Sequence, residues 1–290
     1  MIPAPAPTIM PAKGKAGDFV YSSRVDDNNK GCVMVGSVAI TGASSGIGKA
    51  LAYEFASRGT HLALMARRMD VLVDIAADLR SRFPAVKVET IALDVADVDA
   101  ILPALQDARK RLGGLDCVVA NAGITGVNKT GAGDFQQDIR VIQVNLIGGM
   151  ATVDAAARIF REQGSREQGT HEQGKGVIVG ISSVSAFKGI PGSAAYSASK
   201  AGFSNYLDAT RIELKKHRID VITVHPGFVK TELVRNMEKY PFVISAEKAA
   251  RDIVSGIVKG TSNIIVPAMP WAVLGRVIPL LPDKLVEKAF

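Results

Sequence analysis

Between residues 37 and 59 the chain runs from a short apolar stretch, SVAIT, through Gly42-Ala43-Ser44-Ser45-Gly46-Ile47-Gly48 into the pattern KALAYEFASRG. The apolar stretch reads as a buried strand and the last pattern as a helix. Glycines between them allow backbone conformations closed to other residues and let a ligand approach the main chain. At the start of a helix the first N–H groups lack internal partners and carry the positive end of the helix dipole. A strand that turns through glycines into a helix N-terminus therefore makes a site for an anion such as phosphate. The spacing, G-x-x-x-G-x-G, is a variant of the G-x-G-x-x-G dinucleotide fingerprint. A glycine triplet by itself is also compatible with a plain turn.

The rest of the chain repeats this unit. Strands are expected at residues 61–66, 86–93, 117–120, 176–181, 219–224 and 263–266, with helical patterns at 69–82, 98–112, 134–160, 196–216 and 247–258. The stretch 134–160 reads as one long helix because its apolar residues recur at three-to-four spacing. Such alternation predicts an α/β fold with a parallel, doubly wound sheet and helices on both faces. At 290 residues, 47% of them apolar and 22% charged, the chain is long enough to bury a sizeable core.

In a sheet of this kind, ligands bind at the carboxyl ends of the strands. The second strand ends at Ala66 and is followed by Arg67 and Arg68. An acidic residue there would bond a ribose 2′-hydroxyl, whereas arginine accommodates a 2′-phosphate, so the pair favours NADP(H) over NAD(H). Two solvated arginines opening a helix are the plain alternative. Asp94, next to Val95, ends the third strand and would either meet an adenine amino group or cap the following turn. Asn121-Ala122-Gly123 ends the fourth, where it would let backbone pack against a cofactor and tie neighbouring strands together. The loop from Pro226 and Gly227 through Val229 to Thr231 follows the sixth strand. His225 reads as a strand-end residue rather than a base.

Tyr196 and Lys200 are four residues apart in an Ala/Ser-rich helical run, and so share one helix face. A free phenol titrates near pH 10. A neighbouring ammonium favours the phenolate and would pull that value toward neutrality, where a proton-transfer group works best. Ser183, thirteen residues upstream, ends a buried strand and would present its hydroxyl to the same pocket. Taken alone, Tyr-x-x-x-Lys is also what any solvated helix face can carry. Asn145 lies on the apolar part of the long helix, where polar residues are ordinarily satisfied by backbone groups.

Together, TGASSGIG (41–48), NAGI (121–124), VN (144–145), the Ser183 of ISS, YSASK (196–200) and HPG (225–227) resemble the short-chain dehydrogenase/reductase family in its single-domain form. The resemblance covers about residues 35–267, in family order and spacing. It implies a seven-stranded doubly wound sheet of the Rossmann type. It implies that Tyr196 is the general acid in carbonyl reduction and the base in alcohol oxidation. Lys200 would lower its pKa and bond the nicotinamide ribose, and Ser183 would hydrogen-bond the substrate oxygen. Asn145 would hold a water linking Lys200 to solvent, a functional role in place of the plain one. Gly42, Ser44, Ser45, Gly46, Ile47 and Gly48 would cradle the pyrophosphate, and Thr231 would contact the nicotinamide amide.

The expected activity is therefore hydride transfer between NADP(H) and a carbonyl or secondary alcohol of an apolar small molecule. A cofactor-binding regulator without turnover and an NAD-dependent alcohol dehydrogenase are the alternatives. No metal is called for. Family habit implies a homodimer or homotetramer.

The net charge of +7 is scattered, with no lysine/arginine cluster long enough for a nucleic-acid arm, so no nucleic-acid partner is expected. Two cysteines, Cys32 and Cys117, make no disulfide framework, and a cytoplasmic location is the default. Residues 1–34 are Pro- and Gly-punctuated, without periodicity or a signal-peptide core, and read as a disordered extension; Met34 would serve as a natural start. Residues 161–175 repeat REQGS, REQGT, HEQGK and read as an expanded surface loop. The segment 268–290 is amphipathic and proline-broken. It would pack over the substrate cleft, against a second subunit, or on a membrane surface.

Overall fold

The computed structural model describes residues 35–131, 133–166, 176–232, 240, 242–280 and 282. In chain order they form β1 (Ser37–Thr41), α1 (Gly46–Ser57), β2 (His61–Ala66), α2 (Met69–Arg82), β3 (Val88–Ala92), α3 (Val98–Leu112), β4 (Cys117–Ala120) and α4 (Phe135–Ile142). A π-helical turn (Gln143–Ile147) leads into α5 (Gly148–Arg166), followed by β5 (Gly176–Ile181), α6 (Ala194–Leu214) and β6 (Ile219–Pro226). The two-residue strands β7 (Val229–Lys230) and β8 (Ile244–Ser245), α7 (Ala246–Val258), β9 (Asn263–Val266) and α8 (Ala268–Val277) complete the series.

β1, β4 and β5 are buried along their whole length. Strands covered by helices on both faces have no solvent side, so they read as apolar runs without alternation. Seven strands pair in parallel in the order β3-β2-β1-β4-β5-β6-β9. Helices α1, α2 and α7 pack on one face, and α3, α5 and α6 on the other. Glycines in β5 allow that close approach: a side chain at Gly176 would run into Phe160 of α5, and one at Gly180 into Leu207 of α6. The chain winds outward from β1 to β3, then returns to start β4 on the other side of β1. A crevice opens at the carboxyl ends of β1 and β4, where the strand order reverses.

The structure corrects three expectations. β3 is shorter than residues 86–93, spanning Val88–Ala92. The expected single helix at 134–160 contains the π turn at Gln143–Ile147, with Asn145 inside it. Hydropathy does not mark such a turn, because apolar residues recur at three-to-four spacing on both sides of it; π turns often mark functional sites. The helix also continues to Arg166, so the first REQGS unit is helical rather than loop. Residues 167–175, with most of the repeat, lie outside the described residues, as do the 1–34 extension and the proposed start at Met34.

In the C-terminal segment, α8 packs inward. Trp271 is buried against Gly227 and meets the Phe228 ring edge-on at 5.4 Å, while Gly275 abuts Phe187. Of the three surfaces considered for this segment, the described part covers the loops around the crevice. Its outer side carries Val273, Val277 and Leu280, all exposed. Among the described residues, no helix is long and apolar enough to cross a membrane.

Candidate active site

The glycine turn leaves β1 at the crevice. Gly42 and Gly46 adopt left-handed φ values of +68° and +54°, which β-carbon sterics disfavour for other residues. A Cβ on Gly42 would lie 2.8 Å from the Ala122 Cα, and one on Gly48 would collide with the Gly42 carbonyl and lie 2.5 Å from Asn121 Nδ2. The Asn121 amide donates to the carbonyls of Thr41 (2.9 Å) and Gly42 (3.2 Å), and Thr41 Oγ1 accepts from the N–H groups of Asn121 (3.0 Å) and Ala122 (3.1 Å). Asn121 thus ties β1 to β4, the structural half of its expected role. Ser45 is the N-cap of α1, yet its side chain makes no capping bond, and the first turn carries no acidic residue. The turn is narrow, held in a shape only glycine allows, and open at its helix end to an anion. These residues fit a pyrophosphate.

Arg67 and Arg68 leave the end of β2 beyond the buried Ala66. The Arg68 guanidinium donates to Ser44 Oγ through Nε (3.3 Å) and Nη2 (3.1 Å), and its Nη1 lies 3.8 Å from Glu232. Arg67 pairs with Asp94 at 3.8 Å, and Asp94 Oδ1 accepts from the Ala96 N–H at 3.0 Å. Asp94 thus makes the turn cap expected of it and adds the ion pair with Arg67. Val95 is buried, and its carbonyl lies 2.6 Å from where Gly148 would carry a Cβ, so α5 begins directly over it. Thr231 reaches the opposite wall, its Cγ2 lying 3.3 Å from a Cβ placed on Gly46. Ile47 sits in the first turn of α1, and Val229 is buried beside Thr231.

Ser183, Tyr196 and Lys200 converge. The Ser183 hydroxyl accepts from the Ser185 N–H at 3.1 Å, and its own proton remains available to the neighbouring Tyr196 phenol, whose pKa it lowers. Lys200 is 4% exposed, so the solvated-face alternative is excluded. Its Nζ donates to the Ile181 carbonyl at 2.9 Å and lies 5.8 Å from the Tyr196 ring centre. Burial pulls the Lys200 ammonium down to about 8.

The Tyr196 phenol runs opposite to expectation. Burial pushes its pKa up, and the Ser183 hydrogen bond opposes that only in part. Tyr196 is half-buried, so its phenolate would lose hydration, and the Lys200 ammonium, anchored on the Ile181 carbonyl, does not offset that cost.

Asn145 is buried and satisfied at both ends of its amide. Its Oδ1 accepts from the Ile124 N–H (2.8 Å), and its Nδ2 donates to the Ile124 carbonyl (2.9 Å) and to Ser199 Oγ (3.2 Å). A Cβ on Gly123 would lie 3.2 Å from Asn145 Oδ1 and 3.5 Å from Lys200 Nζ. The absent side chain thus lets amide and ammonium share one space. Thr41, Ser199 and Glu232 were not singled out in the sequence. Thr41 directly precedes the glycine turn and Ser199 stands inside YSASK. Their partners, however, are 80 and 54 positions away, beyond any local pattern.

His225 is buried at the end of β6, its Nε2 3.2 Å from Ser204 Oγ and its ring stacked on Phe187 at 4.8 Å. Burial pulls its pKa down to about 4, so it is neutral at pH 7 and a poor base. Its unfolded value is about 6.5. Between those values the unfolded chain binds more protons, so stability falls as pH drops from about 6.5 to about 4, by roughly 3 kcal/mol in all. Replacing His225 with asparagine removes this titration. Urea unfolding at pH 7 and pH 4.5 is expected to show a loss about 2 kcal/mol smaller in the variant. Equal losses in both proteins would contradict it.

A family model for short chain dehydrogenases matches residues 37–241. An uncharacterized oxidoreductase of Mycobacterium tuberculosis is 33% identical over 252 residues, covering 87% of this chain and 96% of that protein. The 11-beta-hydroxysteroid dehydrogenase 1A of Arabidopsis thaliana is 31% identical over 287 residues, covering 92% of this chain and 77% of that protein. Among solved structures, a short-chain dehydrogenase from Sphingobium yanoikuyae in complex with NADPH has a TM-score of 0.73 at 25% identity, covering 88% of this chain and 96% of that one. The matched segment holds the glycine turn, both arginines, Asn145, Ser183, Tyr196 and Lys200 within one sheet of the expected order. This chain is an oxidoreductase that belongs to the short-chain dehydrogenase/reductase family.

Proposed function

We propose that this chain transfers a hydride between NADP(H) and the carbonyl or secondary-alcohol carbon of an apolar small molecule. The observation that carries the reading is the buried Lys200, its Nζ held on the Ile181 carbonyl at 2.9 Å and 5.8 Å from the Tyr196 ring centre, just beyond the strand end that bears Ser183. Gly42, Gly46 and Gly48 would hold the pyrophosphate against the open end of α1. Arg67 and Arg68, with the Ser44 hydroxyl, would hold a 2′-phosphate. The NADPH in the Sphingobium relative supports that choice of dinucleotide.

The nicotinamide, when bound, supplies or accepts the hydride. The chain handles the proton and the charge. In reduction, oxyanion character develops on the substrate oxygen, and the Ser183 hydroxyl donates a hydrogen bond to it. The Tyr196 hydroxyl donates its proton to the same oxygen. The phenolate left behind is favoured by the Lys200 ammonium, which is charged below about pH 8. Asn145, fixed by Ile124 and Ser199, stands beside that ammonium where a route for proton exchange would start. In oxidation the same groups act in reverse.

Phe187, Phe228 and Trp271, packed on the loops around the crevice, favour an apolar substrate. The hydroxysteroid in the name of the Arabidopsis relative is of that kind. The test is NADPH oxidation against sterol, fatty-acyl, quinone and sugar carbonyls. Turnover is expected with apolar carbonyls, faster with NADPH than with NADH. Failure of every carbonyl to oxidise either cofactor would overturn the reading.

A further inference from the structure

We propose that Glu232 sets how strongly this chain discriminates between 2′-phosphorylated and unphosphorylated dinucleotides, by competing for Arg68. The proposal rests on the reading that the two arginines receive a 2′-phosphate.

Arg68 divides its donors between two walls of the crevice. Nε and Nη2 are on Ser44 of the glycine turn, and Nη1 faces Glu232 at 3.8 Å. The carboxylate therefore occupies the side of the guanidinium that a phosphate oxygen would take, since both anions use the same planar fork. The pair is loose and wet, with side chains 50% and 76% exposed. Such pairs contribute little to stability, and a phosphate monoester carrying nearly two charges displaces the carboxylate from it.

Displacement does not remove the charge from the neighbourhood. Glu232 directly follows Thr231, whose methyl lies 3.3 Å from a Cβ placed on the Gly46 turn. The short tether keeps the carboxylate near the arginine. There it repels a 2′-phosphate while leaving a ribose with a free 2′-hydroxyl almost unaffected. Arg67 carries a comparable partner in Asp94 at 3.8 Å. That carboxylate is anchored by the Ala96 N–H and stays with its turn, so Glu232 is the adjustable member.

The experiment measures NADPH and NADH dissociation constants, together with that of adenosine 2′,5′-bisphosphate, for wild type, Glu232→Gln, Arg68→Ala and the double variant. Glu232→Gln is expected to bind NADPH and the bisphosphate roughly three- to tenfold more tightly at low salt, an effect that shrinks as salt screens it. NADH affinity stays unchanged. In the Arg68→Ala background the same substitution changes NADPH affinity less than about twofold.

No change in Glu232→Gln, an equal gain for NADPH and NADH, or a loss of both would overturn the proposal while Arg68→Ala still weakens NADPH. If Arg68→Ala leaves NADPH binding intact, the arginine reading itself fails and the Glu232 proposal with it. Glu232 is solvent-exposed, and an unchanged melting temperature for Glu232→Gln confirms that the comparison is between folded proteins.

Discussion

Replacing Tyr196 with phenylalanine is expected to lower carbonyl reduction by about 10²–10⁴-fold, the usual contribution of general acid–base catalysis, with NADPH affinity within about threefold of wild type. The substitution deletes one oxygen and leaves the ring. Tyr196 lies in the first turn of α6 and keeps its ring there, so the fold has no reason to change. What disappears is the hydroxyl of a ring whose centre lies 5.8 Å from a buried ammonium. Burial raises the phenol's pKa rather than lowering it, so at neutral pH Tyr196 holds its proton and is poised as the acid. The loss should therefore fall on kcat for reduction rather than on cofactor binding. Activity within tenfold of wild type across a panel of carbonyls would remove Tyr196 from the role.

The second large effect concerns the choice of dinucleotide. Replacing Arg67 and Arg68 together with alanine is expected to weaken NADPH roughly 100-fold and NADH less than about threefold. Hydrogen bonds to charged groups contribute about 1.5–3 kcal/mol each. Both side chains are at least half exposed, which places each near the lower end, and about 3 kcal/mol in total is two decades of affinity. Fluorescence titration with both cofactors checks it. Equal losses for NADPH and NADH would mean that the arginines act through the adenosine or the fold, and not through a 2′-phosphate.

Much of the architecture was legible in the sequence because a parallel sheet buried on both faces writes its central strands, β4 and β5 above all, as unbroken apolar runs. The glycine turn was legible for a related reason. Gly42 and Gly46 need left-handed backbone and Gly48 has no room for a side chain, so the constraint sits on the residues themselves.

Harder to see was whatever depends on partners distant in sequence. The π turn around Asn145 exists to face Ile124, and nothing within residues 134–160 shows it. Trp271 reads as an amphipathic tail residue until Gly227 supplies its seat. The sign of the Tyr196 shift turned on burial, and the i, i+4 spacing of a lysine carries no information about that. Glu232 likewise has no motif around it, only a guanidinium that folding brings across the crevice.

The central claim is hydride transfer between a nicotinamide and a carbonyl carbon, with Tyr196 supplying the proton. Its most direct test follows the label from NADPH deuterated at nicotinamide C4, on the transferred face, with the best carbonyl from the panel. The account predicts one deuterium on the carbinol carbon of the product for each NADPH consumed, and loss of that product in Tyr196→Phe. Deuterium retained on the nicotinamide or released to water, or product formed undiminished by Tyr196→Phe, would contradict it.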